Sequence, residues 1–308
     1  MLILDEAAVR RSLSMRDLVP AMEDALSALS QGRAVQPVRT MVPVVEHGGF
    51  LGSMPAHVGA QLGAKLVTFF PNNQGLPTHH ALIVLFRPES GEPLVAMDGR
   101  LITEMRTGAV SAVATKWLAR SDSRTLAILG SGVQAQSHLE ALRLVRDFQE
   151  VRVWSPRNAS AFARRHAVQL AGSAEEAVRG ADVVVVATTS RTPILRGEWL
   201  SAGTHVNAVG APRPDWRELD DELLRDATLY VESREAATRE SGDVIAAGTV
   251  FGEIGEVITG TRPGRRSEGE ITLFKSVGVA VADLASAALV YRTASASQPP
   301  QPEGSPET

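Results

Sequence analysis

The chain has 308 residues, 44% hydrophobic and 21% charged. That is enough to bury one large core or two ordinary ones, and two fits the usual domain size better. A formal net charge of −4, with only two Tyr and four Trp, excludes the basic, aromatic surface that neutralises a phosphate backbone and stacks bases, so no nucleic acid partner is expected. The absence of cysteine excludes disulfides and thiolate metal ligands; no metal is expected, and a reducing, cytoplasmic setting fits.

The N-terminus, MLILDEAAVRRSL, carries acids where a signal peptide would carry a basic region and a long apolar core. In SMRDLVPAMEDALSALS, residues 14–30, Ser14 and Asp17 stand in capping-box spacing ahead of apolar positions near period 3.6, which predicts a helix with Pro20 as a source of a kink. From Arg39 to Gly99 the short apolar runs RTMVPVV, GFLGSMPAHV, LGAKLVTFF, HHALIVLFRP and EPLVAMDG are separated by the turn signals EHGG, PNNQGLP and ESGE. Links that short predict an antiparallel meander. Met105, Ala109, Val113 and Trp117 then recur every four residues, predicting a helix that bridges to a second region.

In that region strand candidates at Thr125–Leu129, Val151–Trp154, Ala181–Thr188, His205–Val209 and Thr228–Glu232 alternate with helical patterns such as SAEEAV, capped by Ser173. The fold class expected is α/β: a Rossmann-type doubly wound parallel sheet plus an α+β substrate domain with an antiparallel sheet. The substrate domain is expected over residues 1–115, completed by a C-terminal helix at 278–293, the Rossmann domain over 116–277, and a disordered tail over 294–308. The apolar run Val277–Tyr291 carries Asp283 and is too short to span a bilayer, so no membrane partner is expected.

The stretch TLAILGSGVQAQSHLEAL contains G-x-G-x-x-A at Gly130, Gly132 and Ala135, between a β-like run and a helical one. Gly130 serves the tight turn, Gly132 lets backbone N–H groups approach a pyrophosphate, Ala135 lets helix and strand pack closely, and the helix N-terminus favours the anion. The next strand ends VWSPRNAS, with Ser155, Arg157 and Ser160 and no acid to take a ribose 2′-hydroxyl. A hydroxyl and a guanidinium suit a 2′-phosphate, so NADP(H) is preferred, with NAD(H) possible. In the first half, Arg39, Lys65 and Arg106 lie among apolar neighbours, with Thr78 and His79 close by in LPTHHAL. Desolvating such cations is costly unless an anion meets them, and a carboxylate substrate would be that anion. The alternative is ordinary strand alternation with each cation pointing to water.

The motifs QPVRT, KLVTFF, AMDG, RTGAVSAVATK, ILGSGVQAQSH, VNAVG, RPDWRELDDELL, ESGDV, GEIGEVI and FKSVGVAVAD, spread over nearly the whole chain, resemble the ornithine cyclodeaminase and mu-crystallin family, most closely its ketimine-reductase branch. The resemblance implies a homodimer joined through the sheets of the first domains. It implies that Arg39, Lys65 and Arg106 surround a substrate carboxylate, with Arg213 among the ligand-binding residues, and that Thr78, His79 and Arg106 approach the cofactor. Gly130, Ser131, Gly132, Val133 and Gln134 would lie along the pyrophosphate, Ser155 and Arg157 near the 2′-phosphate, and Thr188, Thr189, Val209 and Ser276 at the nicotinamide side. Where the family's cyclodeaminases carry an aspartate after their VGG turn this chain has Pro212, which cannot move a proton.

The activity implied is NAD(P)H-dependent reduction of a cyclic ketimine carboxylate, Δ1-piperideine-2-carboxylate or Δ1-pyrroline-2-carboxylate, to a cyclic L-amino acid. Lys65, or a water it orders, is the first choice of proton source and His79 the second. The alternatives are reductive amination of a 2-oxo acid, as in the family's alanine dehydrogenases, ornithine cyclodeamination, and non-catalytic binding of NADPH with a hydrophobic carboxylate of the thyroid-hormone type.

Overall fold

The computed structural model of the protein describes residues 1–296. The chain opens with β1 (Leu2–Leu4), α1 (Glu6–Ser12) and α2 (Met15–Ser30). Ser14 caps α2 as its spacing predicts, its Oγ accepting the Asp17 N–H at 3.2 Å, and the helix runs unbroken through Pro20. There follow β2 (Ala34–Val35), β3 (Thr40–Val44), β4 (Gly49–Val58), β5 (Gln61–Phe69), β6 (His79–Phe86) and β7 (Pro93–Asp98). From β4 to β7 each strand pairs antiparallel with the next, the expected meander, while β1 adds a parallel edge strand on β7 that sequence reading had not foreseen. The sheet is therefore mixed.

Its two faces differ sharply. The cross-strand row Met54, Lys65, Ile83, Met97 lies on the covered face and is buried throughout. On the opposite face Val42 and Leu51 are paired, as are Leu66 and Leu82, and all four are exposed, at 54%, 38%, 39% and 44%.

The helix α3 (Arg100–Leu118) leads into β8 (Thr125–Leu129), α4 (Val133–Leu142), β9 (Glu150–Trp154), α5 (Ala159–His166), β10 (Gln169–Leu170), α6 (Ala174–Val178), β11 (Val183–Val186) and β12 (His205–Ala208). Then come α7 (Asp221–Asp226), β13 (Thr228–Val231), α8 (Arg234–Glu240), α9 (Gly242–Ala247), β14 (Gly252–Glu253), α10 (Ile254–Ile258), β15 (Thr272–Lys275) and α11 (Ala280–Ala296). The second sheet is parallel throughout, in the order β10-β9-β8-β11-β12-β15-β13-β14. Successive connections run outward in opposite directions from β8 and β11, so a ligand crevice is expected beyond the carboxyl ends of those two strands. The Val183–Val186 strand is wholly buried, as an apolar run without alternation requires in a sheet covered on both faces.

Two joints bind the halves. α3 is buried along most of its length between the sheets and packs on α4 so closely that a methyl group at Gly108 would stand 2.6 Å from the Ser137 carbonyl oxygen. The bridging helix thus lies in a core to which both sheets contribute, and the expected boundary at residues 115/116 falls inside it. α11 returns to the first sheet, packing on β4, β5 and β6 and on α2. It begins at Ala280 and continues to Ala296, past the expected end at 293; the rest of the expected tail, 297–308, lies outside the described residues. Among the described residues no helix is long and apolar enough to cross a membrane.

Candidate functional site

The covered face of the first sheet places a lysine in the middle of an apolar row. Lys65 on β5 is 1% exposed, Arg106 on α3 is 5% exposed, and Asp283 in the first turn of α11 is fully buried between them. The Asp283 carboxylate divides its oxygens: Oδ2 is 2.7 Å from Lys65 Nζ, and Oδ1 accepts from Arg106 Nε at 2.9 Å. Sequence reading expected these cations to wait for a substrate anion, so Asp283 is a correction. The reason is the one already given: a buried cation without a counter-ion is too costly to keep in the folded chain. Two cations share one carboxylate, so a positive charge is left over, and among the described residues Arg106 Nη1 and Nη2 make no hydrogen bond. Burial pulls the Lys65 ammonium down from 10.5 to about 7, against the opposing pull of Asp283. His79, half-buried at the start of β6 and on the same sheet face, is pushed down to about 4 by burial and then by the charges of Lys65 and Arg106, so its imidazole is neutral at pH 7.

Arg39 differs from the other two. It forms a bidentate pair with Glu240 at the end of α8, through Nε at 2.9 Å and Nη2 at 2.8 Å, and Nη2 also donates to the carbonyls of Val277 and Gly278. The same 276–278 segment is held from its other side by the buried Glu232, which accepts from Ser276 Oγ, Val277 N and Gly278 N. Gly278 has φ +82, and a methyl group there would meet the Arg106 guanidinium at 2.7 Å. This segment therefore threads between Arg39 and Arg106 and sets where both stand.

The glycine turn lies at the carboxyl end of β8. Gly130 has φ +126, and a Cβ would come 2.2 Å from the carbonyl oxygen of Ala187, the residue after β11, so only glycine fits. At Gly132 a Cβ would meet nothing within 4 Å, and no side chain caps α4, so its first N–H groups are left without a side-chain partner. Open space before an uncapped helix start suits a pyrophosphate, so the residues present fit a dinucleotide. Val133 is exposed and Gln134 partly buried beside it. Ser131 Oγ contacts Ser155 Oγ at 2.8 Å, and both hydroxyls donate to the Arg157 carbonyl. They organise the loop, leaving the exposed Arg157 guanidinium, which makes no ion pair among the described residues, to meet any phosphate.

The remaining sequence candidates lie on several other loops. Thr78 closes the turn before β6, its carbonyl accepting from Phe70 N at 2.8 Å. Thr188 and Thr189 follow β11, Val209 follows β12, and Ser276 is 2% exposed on Glu232. Arg213 does not join Lys65 and Arg106: it stacks over Trp216 at 5.3 Å, reaches Asp215 at 3.9 Å and is 47% exposed. A concavity of about 530 Å³ between α7, β13 and α9 contains none of the candidate groups.

Sequence reading missed the buried acids. Beneath the turn that follows β12, Glu218 accepts from Thr188 N at 3.2 Å and from Thr188 Oγ1, while its other oxygen presses on Gly210. Asp243 accepts from Glu218 N and Leu219 N and pairs with the buried Lys275, which also donates to the Gly210 carbonyl. The motif ESGDV supplies Glu240 to Arg39 and Asp243 to Lys275. Burial pushes the Glu218 carboxyl up to about 7.

A nucleotide-binding crevice in a doubly wound sheet, opening toward charged groups on a second sheet, defines a two-module enzyme of the Rossmann class. The chain belongs to the ornithine cyclodeaminase/mu-crystallin family, whose model matches residues 1–298. It is 51% identical to the ketimine reductase mu-crystallin of Mus musculus over 286 residues, covering 89% of this chain and 91% of that one. Its fold matches that of Thermococcus litoralis Δ1-pyrroline-2-carboxylate reductase in complex with NADH and L-proline, with a TM-score of 0.92, 39% identity and coverage of 96% and 98%. It also matches an archaeal alanine dehydrogenase dimer with bound NAD, with a TM-score of 0.91, 38% identity and coverage of 96% of each chain.

Glu218 binds its proton more tightly folded than unfolded, so the stability that protonation contributes is present below pH 4.5 and is lost as pH rises through about 7. Replacing Glu218 by Gln removes that dependence. Urea unfolding at acid and at mildly alkaline pH is expected to show the wild type losing roughly 3 kcal/mol more than the variant over this interval.

Proposed function

We propose that the protein reduces cyclic ketimine carboxylates, of the Δ1-piperideine-2-carboxylate and Δ1-pyrroline-2-carboxylate type, to cyclic L-amino acids with NAD(P)H. The observation that carries this reading is the covered Lys65–Asp283–Arg106 cluster, which keeps one uncompensated positive charge and two unused guanidinium nitrogens. An imine carboxylate needs those two things, an anchor for its acid group and an acid for its nitrogen. The likeness to a ketimine reductase and to a Δ1-pyrroline-2-carboxylate reductase supports it.

Bound reduced nicotinamide supplies a hydride to the imine carbon next to the carboxylate. The residues of the chain do the rest. Arg106 holds the carboxylate through its free Nη donors and so sets the reacting carbon. Lys65, titrating near neutrality, gives its proton to the imine nitrogen, making the carbon more electrophilic. His79, neutral at pH 7, is left to contact and orient. Arg39, already paired with Glu240, holds the 276–278 segment and lends positive potential from a distance. Pro212, in place of the cyclodeaminases' aspartate, removes the group that would work on a substrate amine. Arg157 would meet the 2′-phosphate of NADPH, and the first sheet's exposed apolar face would pair with a second copy of the chain, burying Val42, Leu51, Leu66 and Leu82.

NADPH absorbance followed with a panel of cyclic imines is expected to show turnover, with pyruvate plus ammonium far slower; saturable binding without oxidation would point instead to a binding protein. Because reduction consumes the Lys65 proton, kcat/KM is expected to fall as pH rises through about 7. Lys65→Met is expected to lower kcat by about 10²–10⁴-fold, and a change confined to KM would reduce Lys65 to a carboxylate anchor. Arg157→Ala is expected to raise the KM for NADPH about tenfold and leave that for NADH nearly unchanged; equal effects would remove the 2′-phosphate role. In sedimentation velocity the wild type is expected at dimer mass, and Leu66→Lys, which places charges in the paired face, at monomer mass.

A further inference from the structure

We propose that Asp283 is a positioning residue for this reduction: its carboxylate keeps the Lys65 ammonium in the proton-donating form and turns Arg106 so that its terminal N–H groups are left for the substrate. The inference deepens the reductase reading above and rests on it. Asp283 is fully buried and spends one oxygen on each cation, so it touches both proposed partners of the substrate while remaining outside the reacting atoms itself.

Its position is built rather than incidental. The first turn of α11 is fastened by Gln36, whose Oε1 accepts the Val281 N–H at 2.9 Å, while Arg39 grips the carbonyls of Val277 and Gly278 and Glu232 grips the amides of the same two residues. Two separate chain segments, 36–39 and the one carrying Glu232, thus hold the backbone that leads into Asp283, and the missing side chain at Gly278 leaves the room that the Arg106 guanidinium occupies. A purely structural ion cluster would have little need of this, since apolar residues of similar volume fill such a space at no greater cost.

The charged and titratable groups facing Lys65 are Asp283 from α11, Arg106 from α3, Arg39 from the segment before β3, and His79 from β6. Asp283 is the single negative charge among them. Without it, burial and the arginines act unopposed and drive Lys65 toward the neutral amine, which cannot give a proton. The ammonium is then lost at a lower pH, and turnover at neutral pH falls with it.

The test compares full-length wild type with Asp283→Asn, which preserves shape and hydrogen-bonding capacity, using NADPH and Δ1-piperideine-2-carboxylate. The alkaline fall of kcat is expected to move down by about one pH unit or more, with roughly tenfold lower turnover at alkaline pH and a shrinking deficit toward acid pH. A kcat lowered equally at every pH would overturn the proposal. Should Asp283→Asn fail to fold, Lys65→Met serves as the background, because the double variant keeps the net charge of the wild-type cluster. Adding Asp283→Asn there is expected to change kcat less than about twofold while raising KM through Arg106, and a large further loss of kcat would refute the claim. An NMR titration of 13C-labelled lysine side chains, which needs no turnover, is expected to show Lys65 losing its proton at lower pH in Asp283→Asn. An unshifted Lys65 sinks the role of Asp283, whereas a shifted Lys65 with no imine consumed by the wild type sinks the reductase reading alone.

Discussion

A lysine set in the apolar row of Met54, Ile83 and Met97 can stay charged there only because a carboxylate 177 residues beyond Arg106 is brought to within 2.7 Å of it. Removing the Asp283 carboxylate would leave two buried cations without a counter-charge, at a cost of about 3–5 kcal/mol. The return of α11 to the first sheet is therefore an electrostatic requirement as well as a packing one. The rest of the site follows from that return. The segment leading into α11 must pass between Arg39 and Arg106, must be glycine at 278, and must have its amides satisfied by Glu232.

The second sheet imposes a different constraint. Its central strands β8 and β11 end so close together that Gly130 lies against the Ala187 carbonyl, and this contact turns the chain into α4 with its N–H groups uncapped. Behind the same crevice a run of buried ions, Glu218, Asp243 and Lys275, ties the turn after β12 to Thr188. The two halves then meet through α3, which carries Arg106 on the way from one sheet to the other. Cation cluster and glycine turn are thus held by elements that share buried surface, so their separation cannot change without unpacking that helix.

Much of the fold was legible. The turn signals between Arg39 and Gly99 marked strands β3 to β7, and the boundaries of β8 coincide with those read from Thr125–Leu129. Elements that were missed share a cause. β1 and β15 are three and four residues long and pair with strands distant in the chain, so nothing nearby in sequence announces them. Of the candidate site, the glycine turn was legible because backbone geometry demands particular residues there. The cations were noticed because charge amid apolar neighbours is anomalous. Arg39 and Arg213 were read as equivalent to the others, yet one is spent on Glu240 and the other stacks on Trp216.

The order of amino acids by itself determined the local matters: where strands alternate, where helices are capped, where glycine is obligatory, and that several cations would need counter-charges. Those follow from interactions spanning a few residues, which periodicity and backbone sterics report directly. Which anion meets which cation was decided only when the chain closed on itself. Asp283 reads in the sequence as one acid in an apolar run, and Glu240 as one in a polar stretch. The energy that assigns them to Lys65, Arg106 and Arg39 arises from burial and proximity, neither of which exists until the two sheets and α11 have packed.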